Sequence, residues 1–283
     1  MDDIMIRRRR RHRKQRIRRM FFLAFLVVLA IAAVFIIKNV RRSVPQKQTN
    51  EPTALAETVY PQKPETEPKL DTAILKKDNV KTCYLTFDDG PTLSVTPRIL
   101  DTLRRYNAKA TFFMVGTLIE NNKSMARRVY DEGHCLANHS YAHNYSEFYA
   151  SQDSFMNEIN KTFDLIREVT GDENYPKIFR FPGGGFNAGS FGEAKQGYKE
   201  LLKSNGIRYC DWNALNGDAE GKKRTPEELA ERVKKTTSGK EDVVILMHDA
   251  AAKSTTADAL PSVLEYLISE GYTFKTLDKA PIV

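Results

Sequence analysis

From about residue 79 onward, the chain alternates short apolar runs with longer stretches of helical periodicity. The apolar runs are rich in β-branched and aromatic side chains, and they are bounded by glycine, proline or charged residues. Both features are typical of buried strands. Strands are predicted at 83–87, 110–115, 135–138, 178–181, 208–212, 243–247 and 273–277.

The stretches between these runs carry helix signals. Thr225-Pro226-Glu227-Glu228 combines an N-cap residue, a proline at the first helical position and a capping-box glutamate. Regular alternation of strands and helices predicts an α/β fold with a mostly parallel sheet, either open or closed as a barrel. Helices are predicted at 96–106, 118–131, 151–170, 198–205, from 225 onward and at 260–270.

The N-terminal quarter has a different pattern. Residues 20–37 are 18 residues without a charge, which as a helix at ~1.5 Å per residue would nearly cross the ~30 Å core of a bilayer. The preceding residues 1–19 form a strongly basic tail, so the positive-inside rule predicts a cytoplasmic N-terminus and an extracellular remainder. A cleaved signal peptide is the alternative, but the apolar segment is longer than a typical signal core.

The rest of the chain divides into a linker and a folded domain. Residues 38–78 are rich in Pro, Glu and Lys with few large apolar side chains, which predicts a disordered linker. Residues 79–283 contain the whole strand–helix alternation and form the predicted domain. Cys83, Cys135 and Cys210 are too few and too widely spaced for a disulfide framework, and we expect free thiols.

The charge of the chain is unevenly distributed. The formal net charge is +8, but residues 1–42 alone contain 13 Lys and Arg against two Asp. The remaining 241 residues therefore carry a net charge of −3. Because a nucleic-acid-binding domain relies on positive charge, this distribution argues against nucleic acid as a partner of the domain.

Carboxylates and imidazoles follow two of the predicted strands. Asp88 and Asp89 end the first strand, and adjacent side chains on an extended backbone point in opposite directions. One carboxylate could hold a metal ion while the other handles a proton; a plain strand-ending turn is the alternative. His139 and His143 are spaced i, i+4, which on a helical turn would let both bind one ion.

Further polar residues lie at the ends of later strands. Arg180 precedes a turn with three glycines, whose backbone N–H groups could approach an oxyanion. Asp211 stands beside the single tryptophan of the chain, Trp212, and His248 ends an apolar strand as a candidate general acid. Each of these features also has a structural interpretation. The glycine turn is typical of a plain loop, Trp212 of a core tryptophan and His248 of a strand cap. Functional sites of parallel α/β folds lie where strands end, so we expect one shared site.

The order of these motifs resembles the polysaccharide deacetylases of carbohydrate esterase family 4, the NodB-homology domain. The resemblance covers about residues 80–280 and implies a distorted (β/α)7-type barrel. The motifs that carry it are Thr86-Phe87-Asp88-Asp89-Gly90, His139-Ser140-Tyr141-Ala142-His143, Arg180-Phe181-Pro182-Gly183-Gly184, Asp211-Trp212 and Leu246-Met247-His248.

The resemblance implies a divalent metal, foremost Zn²⁺, with Co²⁺, Ni²⁺ and Mn²⁺ as other candidates. Asp89, His139 and His143 would be its ligands. Asp88 would be the general base that deprotonates the attacking water, and Arg180 would orient that carboxylate.

The remaining roles implied by the resemblance concern the leaving group and the substrate. His248 would be the general acid that protonates the leaving amine, and Asp211 would tune its charge. Trp212 and Leu246 would line the pocket for the acetyl methyl group. The backbone N–H at Gly183 would help to hold the oxyanion; the family commonly has an aromatic residue at this position, so the sugar-binding wall is in question.

The implied activity is hydrolysis of N-acetyl groups on an extracellular aminosugar polymer, foremost the N-acetylglucosamine of peptidoglycan. Poly-N-acetylglucosamine, chitin oligomers and O-acetylated xylan are alternative substrates. A wall-glycan binding module without activity is a non-enzymatic alternative, but it would need neither a base nor an acid. The expected partners are a cell-wall glycan and the membrane through residues 20–37, while the sequence does not fix an oligomeric state.

Overall fold

The computed structural model describes residues 81–185 and 192–280, which fall within one of two units of the chain, Lys69–Val283. The predicted tail, membrane span and linker, at 1–19, 20–37 and 38–78, lie outside these residues. Within the described ranges, no helix is long and apolar enough to cross a membrane.

In the described part of the chain, eight strands form a single sheet in which every pairing is parallel. Their order is β5-β4-β3-β2-β1-β7-β6, and β8 pairs with the beginning of β1. The strands are β1 Lys81–Gly90, β2 Ala110–Met114, β3 Cys135–Asn138, β4 Ile178–Phe179, β5 Arg208–Tyr209, β6 Ala214–Leu215, β7 Asp242–His248 and β8 Tyr272–Phe274.

Helices connect most of the strands. The predicted capping box is present, with Glu228 N donating to Thr225 Oγ1 (3.3 Å) and Thr225 N donating to Glu228 Oε2 (2.9 Å). The helix predicted at 118–131 is two helices that meet at Asn122. The helices are α1 Thr96–Arg105, α2 Gly116–Asn121, α3 Lys123–Asp131, α4 Tyr145–Phe148, α5 Gln152–Thr170, α6 Gly192–Ser204, α7 Pro226–Thr237 and α8 Ser254–Ser269, followed by a 3₁₀ turn at Leu277–Lys279.

The sheet is an open half-barrel. The predicted α/β fold with a parallel sheet is confirmed, and the distorted barrel that the resemblance implies is present as a half-barrel. The sequence left open whether the sheet is open or closed, and among the described residues it has eight strands where seven were predicted. Among the described residues, the edge strands β5 and β6 do not pair with each other. Each of them has only two residues, and β6 has too short an apolar run to register as a strand in the sequence.

The central strand β1 places the polar residues of interest. Its side chains at Cys83, Leu85 and Phe87 are fully buried in the core. The parallel register sets Asp88 beside His248 on β7, so these two groups are neighbours through backbone pairing alone. After Asp88 the register of β1 with β2 shifts, which marks a bulge where the strand ends.

Candidate active site

Asp89, His139 and His143 converge beyond the ends of β1 and β3. One ligand atom from each lies within 4.8 Å of the other two. Asp89 Oδ1 is 3.6 Å from His139 Nε2 and 3.4 Å from His143 Nε2. This oxygen is buried and has no hydrogen-bond partner. Two nitrogens around an unsatisfied carboxylate oxygen fit a divalent metal such as Zn²⁺.

The protonation of His139 agrees with such a role. Its Nδ1 lies 2.9 Å from the backbone carbonyl of Arg180, so Nδ1–H donates there and the lone pair of Nε2 points to the carboxylate of Asp89. Burial lowers the pKa of His139 to about 3. The imidazole is therefore neutral at physiological pH, as a metal ligand must be.

The two histidines lie in a loop, and not on the helical turn that their i, i+4 spacing would suit. Asp89, Ser140 and His143 have φ angles of 72°, 67° and 54°, in the left-handed region that non-glycine residues rarely adopt. Side chains fix this loop: Ser140 N donates to Asn138 Oδ1 (2.9 Å) and His143 N donates to Ser140 Oγ (3.1 Å). Local strain of this kind concentrates at functional sites.

Asp88 and Arg180 form a buried ion pair. Arg180 Nη1 donates to Asp88 Oδ1 (2.8 Å) and to Thr86 Oγ1 (2.7 Å), while its other nitrogens donate to the backbone carbonyls of Cys210 (2.9 Å) and Asp211 (3.1 Å). The guanidinium is therefore fixed from several sides. Burial raises the pKa of Asp88, although the charges of Arg180 and His248 oppose the rise. The structure thus holds Asp88 in one orientation, with a pKa closer to neutrality than that of a free carboxyl.

His248 is paired with Asp218, not with the predicted Asp211. Asp218 Oδ1 lies 2.7 Å from His248 Nδ1, and Asp218 Oδ2 accepts from the His248 backbone N–H (3.0 Å). Asp211 instead accepts from the backbone N–H of Gly185 (2.7 Å). Asp211 follows the edge strand β5, whereas Asp218 follows β6, which is adjacent to β7. The signal missed in the sequence was a second strand-end carboxylate next to a glycine, Gly217-Asp218.

This pairing stabilises the charged imidazole. Burial alone would lower the pKa of His248, but the hydrogen bond and charge of Asp218, together with the charges of Asp88 and Asp89, raise it. Burial would likewise raise the pKa of Asp218, but His248, a hydroxyl of Thr256 and other donors lower it. Asp218 is therefore an anion that favours a protonated His248.

The glycine turn after β4 is held by neighbouring side chains. Gly183 and Gly184 have φ angles of 73° and 81°, which accounts for the absence of side chains there. The buried Lys195 donates to the carbonyl of Gly184 (2.7 Å), and the Tyr149 hydroxyl donates to the carbonyl before Gly183 (3.0 Å). Together with the hydrogen bond from the Gly185 N–H to Asp211, these bonds keep the turn in one conformation.

The two residues predicted to line the acetyl pocket lie on different elements. Leu246 is buried on β7 two residues before His248, so both side chains project from the same face of that strand. Trp212 stacks about 5.6 Å from the Arg180 guanidinium. The same indole also lines a groove of about 360 Å³ with Lys235 and Lys240. Their contact with an acetyl group stays a prediction.

A second buried acid, Asp249, was absent from the predicted site. It follows His248, and its N–H donates to the carbonyl of Asp88 (2.9 Å). Thr96 Oγ1 donates to Asp249 Oδ2 (2.6 Å). Burial, reinforced by the negative charges of Asp89 and Asp88, raises the pKa of Asp249 to about 7. The carboxyl packs on Gly90, where any Cβ would lie 2.1 Å from Asp249 Oδ2, so a larger residue at 90 requires the carboxyl to shift.

Comparison with known proteins identifies the family of this arrangement. The family model described as polysaccharide deacetylase matches residues 75–201. A peptidoglycan-N-acetylglucosamine deacetylase of Bacillus cereus is 35% identical over 204 residues, which cover 71% of this chain and 89% of that protein. The chain belongs to the polysaccharide deacetylase family. Members of this family are hydrolases that act on the amide bonds of N-acetyl groups.

Other polysaccharide deacetylases match over the same region. Peptidoglycan-N-acetylglucosamine deacetylase PgdA of Listeria monocytogenes is 35% identical over 200 residues, which cover 70% of this chain but only 38% of the Listeria protein. The catalytic domain of a peptidoglycan N-acetylglucosamine deacetylase from Eubacterium rectale superposes with a TM-score of 0.66 at 32% identity, over 73% of this chain and 93% of that domain. The open half-barrel is therefore the fold shared with solved family members.

Proposed function

We propose that this chain is a metal-dependent deacetylase that hydrolyses the N-acetyl groups of N-acetylglucosamine in peptidoglycan. The observation that carries the proposal is the combination of an unsatisfied Asp89 oxygen between two imidazoles with a separate base and acid beside it. The substrate is inferred from the relatives, three of which are named for peptidoglycan N-acetylglucosamine. A glycan-binding module would have no need of this acid–base pair.

The residues divide the chemistry among them. Asp89, His139 and His143 would hold a divalent metal, which when bound polarises an acetyl carbonyl and acidifies water. Asp88, oriented by Arg180, takes the proton of the attacking water, because burial keeps the pKa of Asp88 above that of an ordinary carboxyl. His248, kept protonated by Asp218, donates a proton to the departing nitrogen.

The oxyanion requires a donor that is fixed before the reaction. We infer that the backbone N–H of Gly183 fills this role, because three side chains already hold that turn in place and the N–H of Gly184 donates to the carbonyl of Phe181 (2.8 Å). Donors that need no rearrangement stabilise developing charge most effectively. Trp212 and Leu246 are proposed to border the acetyl methyl group.

The location of the enzyme is a further part of the proposal. Residues 20–37 would anchor the chain in the cell membrane, with the basic tail 1–19 in the cytoplasm and the domain outside, where peptidoglycan lies. The linker 38–78 would allow the domain to reach the wall. Protease digestion of intact cells, followed by detection of tags at each terminus, tests this orientation; protection of the C-terminal tag would contradict it.

The activity is tested with the full-length chain purified in detergent and supplied with Zn²⁺ or Co²⁺. We expect acetate release from peptidoglycan and from N-acetylglucosamine oligomers, and loss of that release after chelation. Parallel assays with poly-N-acetylglucosamine and acetylated xylan rank the alternative polymers. Glycan binding without acetate release under any metal would refute the proposed activity.

Two isosteric variants separate the roles of the adjacent carboxylates. Asp89→Asn should weaken Zn²⁺ binding, because it removes the charged ligand. Asp88→Asn should retain Zn²⁺ and abolish turnover, because an amide cannot accept the proton of water. Isothermal titration with Zn²⁺ measures the first property and acetate release the second. Equal loss of Zn²⁺ in both variants would show that the division of roles is wrong.

A further inference from the structure

The ring of Tyr145 covers Gly183. Tyr145 begins α4, just after the loop that carries His143, whereas Gly183 belongs to the turn after β4. A Cβ built on Gly183 would lie 3.1 Å from the Tyr145 hydroxyl oxygen and 3.2 Å from Cε1. The phenol ring thus occupies the space into which a side chain at 183 would project.

Tyr145 also borders the open side of the site. Its ring stands perpendicular to that of His143, with centroids 5.4 Å apart and an interplanar angle of 87°. Tyr145 is 38% exposed, and the side chains of Asp89 and His143 are 29% and 30% exposed. Asp88, by contrast, is buried. A polymer that reaches the three proposed metal ligands must therefore approach from the side where Tyr145 lies.

The backbone beneath Tyr145 is well anchored. Asn144 caps α4, its side chain accepting from Ser146 N (3.2 Å), and Phe148 N donates to the carbonyl of Asn144 (2.8 Å). Phe148 itself is fully buried in the core. A ring on such a support loses little conformational entropy when a ligand packs on it.

We propose that Tyr145 is the aromatic wall on which the sugar ring of the substrate packs, and that it determines specificity for a pyranose polymer. The apolar C–H face of a pyranose provides the surface that an aromatic ring can cover. The wall comes from the loop after β3, and a side chain at Gly183 would crowd the ring. This inference rests on the proposed deacetylase function.

The test compares Tyr145→Ala and Tyr145→Phe with the wild-type full-length chain in detergent. Tyr209→Ala is the matched control, because Tyr209 is also 38% exposed and its ring packs on Phe181 (centroids 5.6 Å apart), whereas the Tyr145 ring packs on the proposed metal ligand His143. On the tetramer of N-acetylglucosamine, we expect Tyr145→Ala to raise KM about tenfold with little change in kcat, as for truncation of a moderate interface aromatic. Tyr145→Phe keeps the ring and should stay within about twofold of wild type, as should Tyr209→Ala.

Two binding measurements separate this inference from the proposed function. Isothermal titration of the tetramer into chelated protein should show the same tenfold weakening in Tyr145→Ala, whether or not turnover occurs. Titration with Zn²⁺ should give wild-type affinity, which excludes an effect through His143. Binding that depends on Tyr145 without acetate release would refute the deacetylase function and leave the wall intact. The proposal that Tyr145 is the substrate wall would be overturned by any of three results. These are an unchanged affinity of Tyr145→Ala for the tetramer, an equal loss of that affinity in Tyr145→Phe, or a loss of Zn²⁺ affinity in Tyr145→Ala.

Discussion

Replacing Asp218 with asparagine should lower the pKa of His248. Asp218 Oδ2 accepts two hydrogen bonds, from the His248 backbone N–H (3.0 Å) and the Thr256 hydroxyl (2.7 Å). In Asp218→Asn the amide oxygen must take that place, because an NH₂ group cannot accept. The NH₂ group then faces His248 Nδ1, which lies 2.7 Å from the carboxylate in the wild type. Nδ1 can satisfy this donor only as an acceptor, so the neutral imidazole is favoured and the imidazolium is not.

The size of the effect follows from the bond that is lost. A hydrogen bond to a charged group contributes about 1.5–3 kcal/mol. At about 1.36 kcal/mol per factor of ten, loss of that stabilisation lowers the rate about tenfold to 150-fold. The loss should fall on kcat rather than on KM, because the proposed role of His248 is at the leaving nitrogen, whereas the proposed substrate wall at Tyr145 is elsewhere.

The assay is acetate release from N-acetylglucosamine oligomers as a function of pH. If His248 must be protonated, kcat/KM falls as the pH rises through its pKa. Asp218→Asn lowers that pKa, so the alkaline limb should move to lower pH. Asp211→Asn is the matched control: it removes one carboxylate charge near the glycine turn and should leave the alkaline limb in place. An unmoved limb in Asp218→Asn, or an equal movement in Asp211→Asn, would refute the reasoning.

Three further predictions concern stability, each measured by urea unfolding of the metal-free chain. Gly90→Ala should lower the free energy of unfolding by about 1–3 kcal/mol through overpacking. In the double variant, Asp249→Ala should restore part of this loss; if the losses of the two single variants simply add, the clash between residue 90 and Asp249 is contradicted. Lys195→Met should cost about 1–2 kcal/mol by removing the charged donor to the glycine turn, and no cost would show that this bond does not stabilise the fold. Folding lowers the pKa of Asp218, so the stability that this carboxylate contributes is present above about pH 4 and is lost as the pH falls through the folded pKa. Folding raises the pKa of His248, so the stability that this imidazole contributes is complete below about pH 6.5 and is lost as the pH rises through the folded pKa. The stability difference between wild type and His248→Gln should therefore be largest between about pH 4 and 6.5, and a difference that does not vary with pH would contradict the pairing.

Most of the secondary structure was accessible from the sequence because the strands and helices have strong local signals. The run at 135–138 is confirmed residue for residue as β3, and the capping box at Thr225 starts α7 as predicted. The edge strand β6 was missed for a physical reason: it has two residues, too few for periodicity to be visible. The other edge strand, β5, begins the strand predicted at 208–212. The sequence therefore predicted seven strands where the described residues form eight.

In the site, too, features that depend on local sequence could be predicted, whereas features that depend on tertiary contacts could not. The positions of Asp88, Asp89 and His248 at strand ends were predictable because strand ends are visible in the apolar pattern. The partner of His248 was wrong because two aspartates, 211 and 218, both follow short strands, and only the sheet order decides which is adjacent to β7. The conformation of the loop from His139 to His143 could not be predicted, because i, i+4 spacing carries no information on left-handed backbone.

In the structure, the proposed acid and base are carried by strands of the sheet, whereas the proposed substrate wall is carried by a loop. The proposed base and acid are neighbours through the parallel register of β1 and β7, and each is held by a buried partner, Arg180 or Asp218. Their separation therefore does not depend on any loop. The proposed substrate wall at Tyr145, by contrast, is carried by the loop after β3. A change of glycan can then be achieved by altering that loop, while the distance between the groups that move protons stays fixed by backbone hydrogen bonds.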